Sequence, residues 1–188
     1  MPRWGQRLFK FLAERSEKGP ILRKLREQMF KAATQLLDAD NFFSRLREDI
    51  KNANAYVAIV SPFLRRGAVK RFLSYDEVQK QLNNVKFIVL TRKTSDIKEE
   101  KSRKEHEDCI KMLQESGIYV FEREKLHFKA VIIDDEILYI GSINPLSIMV
   151  ITYLPEDYML RFTSEVLVDE VLDNAIKREE FEKYLSAE

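Results

Sequence analysis

Six residues between Leu126 and Asn144 have the types and spacing to act on a phosphate ester: His127, Lys129, Asp134, Gly141, Ser142 and Asn144, in the order H-x-K-x4-D-x6-G-S-x-N. A neutral imidazole can attack phosphorus or carry a proton near neutral pH. Lys129 offers a fixed positive charge to non-bridging phosphate oxygens. Ser142 and Asn144 offer neutral donors to the same oxygens, where charge accumulates in the transition state. Gly141 lets another backbone come close.

The elements around these residues can bring them together. Ala130 to Ile133 is apolar, Asp134-Asp135-Glu136 is polar, and Ile137 to Ile140 is apolar again. This is the pattern of two buried strands joined by a tight turn. On a strand, His127 and Lys129 point to one face, and Ser142 and Asn144 repeat that relation on the second strand.

Complete and in a strand-turn-strand context, this string resembles the defining motif of the phospholipase D superfamily. The phrase IVSPFL at residues 59–64 also resembles the first strand of phospholipase D-like domains attached to helicases. The resemblance implies phosphodiester hydrolysis through a covalent phosphohistidine, with no metal and no cofactor. It assigns catalytic roles to His127, Lys129, Asp134, Ser142 and Asn144, with Asp134 supporting the turn or the site electrostatically. Family members carry a carboxylate about a dozen residues past GSxN that orients the histidine. Glu156 fits that place, and Asp157 is one residue off. The chemistry needs two proton-active groups, and this chain has one copy of the motif. Similar single-motif enzymes build their site at a twofold axis, so a homodimer sharing His127 from both copies is expected.

Further along, strands alternate with helices. A helix is expected over 41–54 with Asp38 or Asp40 near its cap, then strands at 56–61, 85–90 and 118–121. A charged helix spans 95–116, closed by Gly117. A last strand covers 158–162 and an acidic helix 165–184. This predicts an α/β fold: a mixed sheet of about six or seven strands, helices on both faces, as the resemblance also implies. Residues 1–37 read as a basic helical extension broken near Gly19-Pro20, and 38–188 as the catalytic domain. His106, among charged neighbours, reads as exposed and non-catalytic.

Net charge is +1, so its distribution matters more than its sum. Residues 1–31 carry nine Lys/Arg against three acids, and 165–188 eight acids against three bases. Arg65, Arg66 and Lys70 follow one strand, and Arg92 and Lys93 another; these are the candidate contacts to a phosphate backbone. The single Cys109 excludes an internal disulfide, and two histidines, His106 and His127, argue against a multi-histidine metal site within one chain. No apolar run is long enough to span a membrane, and no signal-peptide core is present. The expected protein is cytoplasmic, an endonuclease on DNA or RNA, with a helicase as a candidate partner. The alternatives are a lipid phosphodiesterase, a phosphatidyl-transfer enzyme, or a module that binds nucleic acid without cutting it.

Overall fold

A computed structural model describes residues 33–148 and 157–187. Seven strands form one sheet: β1 (Ala33–Leu37), β2 (Tyr56–Val60), β3 (Lys86–Arg92), β4 (Tyr119–Arg123), β5 (Ala130–Ile133), β6 (Ile137–Gly141) and β7 (Met159–Thr163), in the order β1-β7-β6-β5-β2-β3-β4. β2, β3 and β4 run parallel. β5, β6, β7 and β1 continue antiparallel, and β5 joins the halves by pairing antiparallel with β2.

The helices are α1 (Ala39–Lys51), α2 (Arg66–Leu73), α3 (Asp76–Gln81), α4 (Glu100–Glu115), α5 (Glu165–Val171) and α6 (Arg178–Ser186). Alternate residues of the central strands enter two cores. Val57, Ile59, Phe87, Val89, Val131 and Ile133 pack with α1, α2 and α4. Ala58, Val60, Ile88, Leu90, Ala130 and Ile132 pack with α5 and α6. Covering both faces explains why β2 and β5 are apolar throughout rather than alternating. The expected α/β fold with a mixed sheet and helices on both sides is the one observed.

Three expectations need correction. Ala33–Leu37 is not helical: it forms β1, paired along its length with β7. Its Thr-Gln-Leu-Leu run carries too few signals to separate a short edge strand from a helix end. The rest of the basic extension lies outside the described residues. The acidic C-terminal helix is not continuous either. A single wide turn over Leu172–Ile176 and a positive φ of 71° at Lys177 separate α5 from α6. Arg178 bridges that break by donating to Asp169 and Asp173, both at 2.6 Å. Lastly, His106 is buried at 1% exposure, not exposed. The charged neighbours occupy the outer face of α4, while His106, Cys109 and Leu113 share the inner one.

Asp38 caps α1, accepting from the Asn41 backbone N–H at 2.9 Å. From α1, Asp49 reaches under the sheet. Arg161 donates to both of its carboxylate oxygens, at 2.6 and 3.0 Å, and the Tyr139 hydroxyl also donates to it. This buried cluster ties α1 to β6 and β7.

Candidate active site

The register fixes where the motif residues gather. Val60 of β2 faces Ala130 of β5, and Ala130 faces Ile140 of β6. The beginning of β5 therefore lies beside the ends of β2 and β6, at the boundary where parallel pairing gives way to antiparallel. His127 and Lys129 stand just before β5, and Ser142 and Asn144 just after β6. The sheet brings these four to one end. They flank the ladder rather than lying in it, since pairing between β5 and β6 stops at Ala130 and Ile140.

Two contacts draw them off the ladder. The Arg92 guanidinium donates from Nε and Nη2 to the Leu126 carbonyl, at 2.9 and 2.7 Å, holding the backbone one residue before His127. Ser142 is bound to the segment leading into β7. Its N–H donates to the Tyr158 carbonyl at 3.0 Å, and its Oγ accepts from the Tyr158 N–H at 3.1 Å. Gly141 makes this possible, because a Cβ there would lie 2.1 Å from the Tyr158 carbonyl oxygen. The backbone approach expected at Gly141 is thus that of β7.

His127 is exposed, open to a substrate or a second chain. The half-buried Lys129 Nζ donates to the His127 carbonyl at 2.9 Å. Burial and then the nearby Arg92 charge lower its pKa, with Asp157 acting weakly the other way. The Asn144 side-chain oxygen is buried without a hydrogen-bond partner among the described residues, a cost that a bound donor would remove. Beyond it, the Leu146 N–H donates to Ser61 Oγ at 3.2 Å, while Thr91 Oγ1 donates to the Ser61 carbonyl at 2.9 Å. Sequence reasoning missed Ser61 and Thr91. The signal was a hydroxyl closing each of two apolar strands.

Asp134 is elsewhere. It occupies the β5–β6 turn at φ 52°, at the opposite end of β5 from His127. Its carboxylate accepts from the backbone N–H groups of Asn54, Ala55 and Tyr56 at 3.1, 2.9 and 3.0 Å. Of the two roles open to it, the geometry is that of turn support. Glu156 lies outside the described residues. Asp157 is half-buried and close enough to influence Lys129.

The candidate backbone-binding cations divide. Arg65 pairs with Glu105 at 2.8 Å, Arg66 with Asp108 at 2.5 Å, and Lys93 with Glu124 at 2.8 Å. Each pair is exposed enough for a phosphate to compete with the carboxylate. Lys70 is exposed on α2. Arg92 differs: it is partly buried, stacks on Phe63 at 4.7 Å from the ring centre, and braces the motif. Among the described residues, no group of three His, Cys, Asp or Glu could hold a metal ion, and no helix is long and apolar enough to cross a membrane.

Comparison with known proteins agrees with the fold. The fold is similar to NucT from Helicobacter pylori at 15% identity, covering 82% of this chain and 96% of that one, with a TM-score of 0.57. It is similar to Nuc from Salmonella typhimurium, described as a phospholipase D family member, at 12% identity, 79% and 95% coverage and a TM-score of 0.56. Phosphatidylserine synthase of Haemophilus influenzae gives 15% identity and a TM-score of 0.59; 77% of this chain matches 36% of that one. At such identities these likenesses show the fold. No curated protein sequence matches. The family model described as "Cardiolipin synthase, PLD-like domain" matches residues 46–174, from α1 through the motif into the helices that follow β7. With that match over most of its length, the chain belongs to the phospholipase D-like domain family.

Proposed function

We propose that this protein is an endonuclease, a phosphodiesterase that hydrolyses DNA or RNA through a phosphohistidine on His127, in a site completed by a second copy of the chain. The observation that carries the reading is the convergence of His127, Lys129, Ser142 and Asn144 at one end of the β5–β6 pair. The chain has two histidines, one of them in the motif, which supports a site shared between two copies. His106 is buried with Nε2 3.0 Å from the Arg92 carbonyl oxygen, so it cannot reach the site. The second imidazole comes from a partner.

One His127 attacks phosphorus; an N–P bond forms as the bond to the leaving oxygen breaks. The partner's His127, protonated, gives its proton to that alkoxide. It then takes a proton from water, which attacks phosphorus and breaks the N–P bond. Lys129 from both chains neutralises the non-bridging oxygens, and Asn144 donates to them. Glu156 orients the imidazole, with Asp157 the neighbouring choice. Arg65, Arg66, Lys70 and Lys93 guide the polyanion, and Arg92 acts by holding the motif.

A panel of single- and double-stranded DNA, RNA, cardiolipin and a generic phosphodiester, each in excess EDTA, tests this. Nucleic acid is expected to be cut, with His127→Ala slower by roughly a thousandfold or more. Activity abolished by the chelator, a fully active His127→Ala protein, or a fully active monomer would each refute it. A phospholipid substrate is the second reading, favoured by the description of the matching family. Cleavage of cardiolipin alone would select it.

A further inference from the structure

Beside the motif lies a cavity of about 380 Å³ that none of these roles employs. It lies between the ends of β2 and β3 and the start of α4. Phe63, Leu64 and Ile97 form its apolar lining, Ser102 contributes a hydroxyl, the buried His106 forms part of its wall, and Arg92 belongs to both the cavity and the active site. Arg92 is thus the shared wall. One face of its guanidinium lies on the Phe63 ring, while its N–H groups hold the Leu126 carbonyl, next to His127.

We infer that this cavity is a subsite for one unpaired nucleobase of the strand whose neighbouring phosphate is attacked at His127. The inference rests on the nuclease reading and narrows its substrate to single-stranded or locally opened nucleic acid. The cavity lies near the lower end of the size range for small-ligand pockets, suited to one nucleoside rather than a stacked pair. Its aromatic ring and guanidinium are groups on which bases stack. Asp96 and Glu99 also line it, so a bare anion is disfavoured inside, whereas the donor and acceptor edge of an uncharged base is not. The exposed Arg65 and Lys98 at its margin suit the flanking phosphates. A base paired within a duplex cannot enter without leaving the stack.

The test uses the full chain with His127→Ala, which holds substrate uncut, and a single-stranded oligonucleotide containing 2-aminopurine. Binding is expected to change the fluorescence of the inserted base. Adding Phe63→Ala is expected to weaken affinity by about 5- to 150-fold, the usual range for loss of a stacking partner. Ser102→Trp, which fills the cavity without removing core volume, should act in the same direction, so the result does not depend on one variant folding. Unchanged affinity within twofold for both variants, or equal fluorescence change with a duplex, would overturn the inference. So would variants that weaken binding to cardiolipin vesicles but not to the oligonucleotide, which would give the cavity to a lipid headgroup. Cleavage of bis(p-nitrophenyl) phosphate by the wild type and its loss in His127→Ala test the phosphodiesterase reading separately.

Discussion

Replacing Asp134 separates support of the turn from participation in chemistry. Its carboxylate accepts three backbone N–H groups within 3.1 Å, at the junction of α1 and β2. Hydrogen bonds to a charged group contribute roughly 1.5–3 kcal/mol each, but these share one acceptor and solvent can take over part of the load. Loss of all three should cost about 2–4 kcal/mol. The residue also holds φ at 52°. Alanine there adds about 1 kcal/mol of left-handed strain, which glycine avoids and asparagine tolerates. The expected order of stability is wild type, Asp134→Asn, Asp134→Gly, Asp134→Ala. For a domain of this size, the alanine variant should melt roughly 6–20 °C lower, at about 2–4 °C per kcal/mol. Urea unfolding measures the differences directly if the slope is constant. The four strand residues of β5, roughly 13 Å of extended chain, stand between Asp134 and the end where His127 lies. The cleavage rate of the folded variants should therefore stay within about threefold of wild type. An Asp134→Asn protein with unchanged stability and a hundredfold lower rate would refute the argument.

Three other perturbations follow from the geometry. The lowered Lys129 pKa means its cation is lost below the ordinary lysine value of about 10.4, so the last, most alkaline fall of kcat/KM should begin beneath that pH; Lys129→Arg should move that final fall upward. Gly141→Ala would drive a methyl into the Tyr158 carbonyl, costing about 1–3 kcal/mol and displacing Ser142, readable as lower stability together with slower cleavage. Burial lowers the His106 pKa, so the unfolded chain binds its proton first as pH drops. Stability should be full above about pH 6.5 and decline through the folded value, and in His106→Asn this component of the decline should vanish from urea titrations.

The motif could be read because its chemistry is local: residue types at fixed intervals on two short apolar runs. The sheet and its two covered faces were readable for a similar reason, since β2 and β5 announce double burial by lacking polar alternation. What could not be read depends on partners distant along the chain. Arg92 seemed a phosphate ligand because nothing near it foretells that the Leu126 carbonyl, 34 residues away, receives its N–H groups. His106 seemed exposed because its immediate neighbours are charged, although helical spacing groups it with Cys109 and Leu113. Asp134 was legible as a turn residue, but its acceptor role requires a loop about 80 positions earlier.

The strand β1 bears on how the domain can be trimmed. The family match begins at residue 46, inside α1, and stops at 174, before α6. A fragment cut to those limits would strip β7 of its outer neighbour, leaving five residues of main chain unpaired on that side, beside the partly buried Leu160. Bare edges of this kind recruit other chains. It would also remove Phe181, which packs edge-on against Tyr56. Any shortened version meant to stay monodisperse needs Ala33 at its start and α6 at its finish.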